Sequence, residues 1–390
     1  MRVLRLLLAL ALFAGCGALT PPRMDAGDDA GLDAGAADAG GADAGAGDAG
    51  ADAGDTPDAG PCDGGFCAPE LLTAERIDPW DLAVDGQHLY WLEYGLATNG
   101  LDGQVMKQRK DVVCLTRDAG CAVDLNTGVF GRFQVDTMTL TGDELCWTEH
   151  DANARDVICQ GLLSNAERTL ASNQPGATEP VAVGGELWWV NRGSSLAAQD
   201  GQVMKLSLTA PPGTPPRAMV SSRPAPGSVA VGPGHFAWTE AGSSVDAGAV
   251  WAAPLDGGAP FAIAAGQRTP LSVVRCGPDG ELFWVNYRDN TVMKGAFAPS
   301  SGTVLVSNQK SPFQVVCDED TLYWLNAGVS ANGADGELWQ ARLDGGEAAV
   351  MVRGIPLAWA LAVDDVYVYY LAQGTVTRLD GRLYRVRKHR

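Results

Sequence analysis

Apolar positions in this chain fall in short blocks broken by Gly, Asp, Asn and Pro, and beyond the leader no stretch keeps an apolar face at helical spacing. One block recurs: LYWLE (89–93), LCWTE (145–149), LWWVN (187–191), FAWTE (236–240), LFWVN (282–286), LYWLN (322–326) and VYYLA (368–372). Its central aromatics are Trp91, Trp147, Trp189, Trp238, Trp284, Trp324 and Tyr370, spaced 40–56 residues apart. Residues 89–107 and 187–205 even align without a gap and both end in GQVMK. A period near this length marks repeat architectures, four-stranded propeller blades among them.

Each repeat has the same internal order. A short apolar strand such as DLAVD (81–85) comes first, then a Gly- or Asp-containing turn, then the aromatic strand. A variable loop leads to a third strand such as GQVMK or GELWQARLDGG (336–346), and an outer strand such as TVLVSN (303–308) closes the unit. Four strands joined by tight polar turns predict an antiparallel sheet. The expected fold is therefore all-β, a β-propeller of seven blades, with six or eight as alternatives. The aromatic series is read as packing between blades, with a carbohydrate platform as the alternative. Asp-Gly pairs are read as hairpin turns. The long loops at 92–104, 190–202 and 325–337 share a length and should emerge on one face. Loops carry specificity in such scaffolds, so Tyr94, Arg192 and Asn326 are the candidate binding rim.

The series LYW, G-x-V-M-K and LDGG resembles the YWTD-type propeller repeat, and is more similar still to repeats of the form YWTN…GTVMKVPLDGG in secreted proteins of myxobacteria and their relatives. The resemblance spans roughly residues 70–390. The fourth motif letter departs from it: Leu92, Val190, Val285 and Leu325 stand where Thr148 and Thr239 keep the threonine. The better-known members have six blades, whereas the count here is seven. The resemblance implies extracellular binding.

Composition changes the picture at the N-terminus. Arg2 and Arg5 precede an apolar run from Leu6 to Ala14, the layout of a secretory signal. The run is too short to cross a bilayer as a helix. FAGC (13–16) resembles a bacterial lipobox, which implies a lipid on Cys16. Residues 24–60 hold ten Asp and no Lys or Arg. Such a segment cannot bury enough surface to order itself, so a tether is expected. Asp and Gly at short spacing also suit calcium, but the spacing is irregular and no bidentate Glu follows. No cofactor is otherwise expected. The domain reading is thus 1–15 signal peptide, 16–60 lipid-anchored tether and 61–390 propeller, in an exported protein held at the bacterial envelope, with the outer membrane as the expected site. Of the net charge of −19, the tether carries −10 and the leader to Arg23 +3, leaving −12 for the rest. An acidic globular part should avoid nucleic acid. A monomer is expected, touching the membrane through the anchor alone.

Two segments compete to close the ring as the outer strand of the last blade: ELLTAERI (70–77) and the basic RLYRVRKH (382–389). The first is favoured, which leaves the basic end as a free tail or charge-protected edge. With Cys16 assigned to the lipid, eight cysteines remain. Four disulfides are expected in an exported protein: Cys62–Cys67, Cys114–Cys121, Cys146–Cys159 and Cys276–Cys317. No C-x-x-C pair supports zinc.

Candidate chemistry is sparse. His88, His150, His235 and His389 fall in different repeats or the tail, and neither G-x-S-x-G nor H-E-x-x-H occurs. Most acids sit in turns. The expectation is a non-catalytic module that binds an envelope protein or glycan. The alternative is a metal-dependent lactonase- or lyase-like propeller enzyme, which requires a cluster of acids in the central channel.

Overall fold

The computed structural model describes residues 68–94, 103–116, 121–125, 135–149, 156–194, 198–242, 246–329, 335–374 and 380–388. Cys16, Cys62, Cys67, the signal, the tether, His150 and His389 lie outside them. The described residues form 28 strands, β1 to β28 in chain order, in seven four-stranded sheets. Blade 1 is β2 (Pro79–Val84), β3 (His88–Glu93), β4 (Gln104–Arg109) and β5 (Ala122–Asp124), each antiparallel to the next. Blades 2 to 6 follow with first strands β6 (Val135–Leu140), β10 (Ala177–Val183), β14 (Pro226–Val231), β18 (Pro270–Cys276) and β22 (Pro312–Cys317). Blade 7 consists of β26 (Ala358–Val363), β27 (Tyr367–Ala372), β28 (Gly381–Arg387) and, outermost, β1 (Glu70–Arg76). First strands of neighbouring blades touch all the way round, from β2 to β6 and on to β26, which returns to β2. The seven-bladed count read from the aromatic spacing is therefore the observed one.

The N-terminal strand closes the ring, as expected, but the basic end is no free tail. Residues 381–387 form the third strand of blade 7, between β27 and β1. Its charges are used in closure. Arg385 bonds Glu70 of β1, and Lys388 reaches Asp318 of blade 6 at 2.6 Å. Lys110 of blade 1 reaches Asp364 of blade 7 in the same way.

The anchor rings fill the gaps between sheets. All six tryptophans are 0% exposed and Tyr370 is 2% exposed. At ~25 cal/mol per Å2 over 150–250 Å2, each contributes roughly 4–6 kcal/mol. The indole N–H of Trp324 is satisfied by Gln309, and four of the others are satisfied two residues on, by Glu93, Glu149, Asn191 and Glu240. That second residue also clamps its blade to the preceding one. Glu93 pairs with Arg76 at the end of blade 7, and Glu240 with Arg223 at the end of blade 3. Where the residue is Asn, the partner is Gln: Gln174–Asn191 (2.9 Å), Gln267–Asn286 (2.7 Å) and Gln309–Asn326 (3.0 Å). The chain thus uses a charged and a neutral form of one clamp.

The glycine that opens the third strand has an equally local cause. A Cβ at Gly248 would lie 2.5 Å from the Gln267 carbonyl and 2.7 Å from Pro270, which starts the next blade. Gly201, Gly336 and Gly381 face the same obstruction.

Three of the expected disulfides are present: Cys114–Cys121, Cys146–Cys159 and Cys276–Cys317. The second joins directly paired residues of β7 (Glu144–Glu149) and β8 (Val157–Gly161), and the third ties the ends of β18 and β22 across two blades.

Candidate functional site: an acidic collar in the central channel

Every first strand carries one extra residue near its start relative to the strand it pairs with. The register skips at Trp80 in β2, at Asp136–Thr137 in β6, at Glu179–Pro180 in β10 and at Gly227–Ser228 in β14. It skips again at Ser272–Val273, Phe313 and Trp359. A bulge re-aims the side chains beside it, and seven bulges at one level make a ring. Aligned by register, the residue at this level is Asp81, Thr137, Glu179, Ser228, Ser272, Gln314 or Ala360. Six of the seven are polar.

This polar collar stitches the blades together at the axis. Asp81 Oδ2 accepts from the Met138 amide (2.7 Å), Thr137 Oγ1 from the Glu179 amide (2.7 Å), Ser228 Oγ from the Val273 amide (2.9 Å) and Ser272 Oγ from the Val315 amide (3.1 Å). The two threonines that keep the motif letter serve the same level. Thr239 Oγ1 accepts from the Ser228 amide, and Thr148 Oγ1 lies 3.3 Å from Thr137 Oγ1.

Below the collar lies a cavity of about 350 Å3, walled by Asp81, Thr137, Glu179 and Gln314 on its polar side and by Val84, Val316 and Val363 among its apolar residues. That volume sits at the lower end of small-molecule sites. The Glu179 carboxylate accepts no hydrogen bond among the described residues. Its backbone stands at φ 52, a strained value for a non-glycine residue, held by the Thr137 hydroxyl on its amide.

Both channel carboxyls are displaced towards neutrality. Burial, followed by the nearby Glu179 charge, lifts Asp81 to about 8 despite the amides of Met138 and Leu82 on its oxygens. Burial also raises Glu179 to about 7, with Arg192 pulling down and Asp136 pushing up. Asp136 itself accepts the Trp80 indole N–H at 3.2 Å.

These shifts have a consequence for stability. Between the unfolded values near 4 and the folded values of about 7 and 8, the folded chain binds more protons than the unfolded one. Stability contributed by these groups is therefore complete below about pH 4 and is lost as pH rises through 7 and 8. The melting temperature should fall across pH 5–8, and the double variant Asp81→Asn/Glu179→Gln should flatten that slope. An unaltered slope in the double variant would contradict the assignment.

The candidate rim separates in the structure. Tyr94 is half-buried, with its ring 5.1 Å from Trp80. Arg192 lies close enough to Glu179 to act on its charge. Asn326 is fully buried and bonded to Gln309, so it is a clamp residue and cannot meet a ligand. Sequence reasoning missed Asp81, Asp136, Glu179 and Gln314. The available signal was a polar residue near the start of six of the seven first strands.

His88 and His235 open their strands at the end far from the collar; His88 sits beside Asp85 and His235 stacks on Phe297. Glu144 lies with Cys146 and Cys159 in metal-ligand range, but both sulfurs are in a disulfide and offer no thiolate.

No family model matches the chain, and no curated protein matches it either. Solved structures do. Virginiamycin B lyase from Staphylococcus aureus aligns with 83% of this chain and 99% of its own, at TM-score 0.55 and 11% identity. A streptogramin B lyase aligns with 82% of this chain and 97% of its own, at 0.57 and 10%. A Mycobacterium tuberculosis puromycin-hydrolyzing peptidase aligns with 76% of this chain and 50% of its own, at 0.57 and 15%. At these identities the likeness establishes the fold. The expectation of a non-catalytic binding module is nevertheless corrected: these solved neighbours are enzymes, and the channel holds the acid cluster that the enzymatic alternative requires.

Proposed function

We propose that the protein is a lyase-like propeller enzyme that opens a carbon–oxygen bond, as in a cyclic ester, by acid–base catalysis in the central channel. The observation that carries this reading is the pair of carboxyls, Asp81 and Glu179, in the wall of one cavity of small-molecule size, where desolvation pushes both pKa values up. Carboxyls pushed to different values near the working pH suit the two halves of a proton transfer. Glu179, the lower of the two and the one with uncommitted oxygens, acts as the base. It removes a proton from the carbon next to the substrate carbonyl, or from an attacking water. Asp81, still protonated at neutral pH, donates to the leaving oxygen. Arg192 faces the negative charge that develops.

A hard cation is the other chemistry the alternative invoked. It fits poorly, because both Asp81 oxygens already accept backbone amides and so one carboxylate ligand is committed. The steps above run without a metal.

The lipid on Cys16, export to the envelope and kinship with the myxobacterial repeats belong to this same reading: a tethered enzyme facing the periplasm or the outside. They rest on the leader and the repeat motifs.

The test is a panel of lactones and cyclic depsipeptides offered to the wild type, Glu179→Gln and Asp81→Asn, with products read by mass spectrometry. Elimination leaves the mass unchanged and creates a double bond, whereas hydrolysis adds one water. Turnover that is lost in both variants supports the reading. Turnover that survives both, or none on any member of the panel, would sink it.

A further inference from the structure

The level just above the collar has its own order. One residue before the collar, the first strands of blades 6, 7 and 1 carry Phe313, Trp359 and Trp80. The three rings form one continuous strip: Phe313 to Trp359 at 4.8 Å between centroids and Trp359 to Trp80 at 4.5 Å. Tyr94 extends it by another 5.1 Å step. In blades 1 to 3 the same levels carry Asp81, Asp136 and Glu179, and blade 1 belongs to both arcs. The Trp80 indole N–H on Asp136 joins the aromatic arc to the acidic one.

The channel mouth is therefore two-sided. Phe313 and Trp80 are partly exposed, while Trp359 is 7% exposed between them. Asp136 meets this strip at the Trp80 indole, Asp81 and Glu179 stand in the collar one level below, and among the described residues Arg192 is the cation that acts on Glu179. Carboxylates held close together repel one another and gain from a positive group placed against them. A ring strip offers apolar contact to a flat body. The two together select for an amphipathic molecule with charge at one end.

We propose that this site takes an organic cation, a primary to quaternary ammonium carried on a flat apolar body, with the body on the Phe313–Trp359–Trp80 strip and the charge against Glu179 and Asp136. This names the substrate class of the enzyme proposed above and rests on that reading for its place in catalysis. Its aromatic half is independent of that reading, because the strip plays no part in the proton transfer, whereas Glu179 serves both. The cavity of about 350 Å3 bounds the size of the part that enters the channel.

The experiment is binding, measured by titration calorimetry and tryptophan fluorescence on the full chain, with three probes of similar shape: benzyltrimethylammonium, benzyl alcohol and benzoate. The cation should bind at least tenfold more tightly than the neutral or anionic probe. Glu179→Gln should remove that preference, and Phe313→Leu should weaken the cation and the neutral probe alike. Equal binding of cation and neutral probe, or a preference that survives Glu179→Gln, overturns the proposal. Loss of all binding in a variant that still melts like the wild type supports it only if the wild type shows the cation preference. Turnover is scored separately: neutral lactones opened in a Glu179-dependent way, without cation preference, would leave the enzyme standing and remove its substrate class. Cation preference with no turnover on any ester would do the reverse.

Discussion

Replacing Glu93 with alanine is expected to lower the unfolding free energy by about 3–5 kcal/mol, because it leaves a fully buried guanidinium without its carboxylate. Arg76 and Glu93 are both 0% exposed, with Nη1 and Oε1 3.7 Å apart. Glu93 also accepts the Trp91 indole N–H at 3.1 Å, and the Arg76 guanidinium lies 5.8 Å from that ring. The clamp closes blade 7 onto blade 1, so its loss opens the ring at its seam. Three other junctions solve the same problem without charge, through Gln174–Asn191, Gln267–Asn286 and Gln309–Asn326. The double variant Arg76→Gln/Glu93→Asn copies that solution and should recover most of the loss. Urea unfolding of the wild type, the single and the double variant measures this. A double variant as unstable as the single would show that the two clamps are not interchangeable.

Glu179→Gln is expected to lower kcat by roughly 10²–10⁴-fold, the range for loss of a positioned acid–base group, while KM moves little. The isosteric amide cannot ionise, so above pH 7 it escapes the cost of burying a charge. The variant should be slightly more stable than the wild type in that range, not less. Lost activity with gained stability separates a catalytic carboxyl from a structural one. Lost activity with a lowered melting temperature would mark Glu179 as part of the scaffold.

The fold was legible because its determinants are local and repeat. Trp91 and its equivalents set the period, the Gly-opened third strands and Asp-Gly turns set the strand order, and Cys146 with Cys159 sits at directly paired positions. The W-T-E motif even reports the bulge, since Thr148 and Thr239 bond the collar. The collar itself was hidden. Asp81, Glu179 and Gln314 are far apart in sequence and read singly as polar residues at strand starts. Only the closing of seven sheets brings them to one axis, and no periodicity within a strand announces that. Asn326 was misplaced for a related reason. It stands at the register of Glu93 and Asn191, where the side chain turns inward to the clamp, while Tyr94 and Arg192 stand one residue on. The basic end looked like a spare edge because β1, its neighbour, comes from the other end of the chain.

The catalytic account stands on two carboxyls kept close to neutral in the channel, and their titration tests it most directly. Carboxyl-carbon NMR of protein labelled with 13C in Asp and Glu side chains, assigned through Asp81→Asn and Glu179→Gln, should show one group titrating near pH 7 and one near pH 8, each lost in its variant. Titration of every Asp and Glu below pH 5 would contradict the account, leaving the collar as a hydrogen-bonded seam between blades and nothing more.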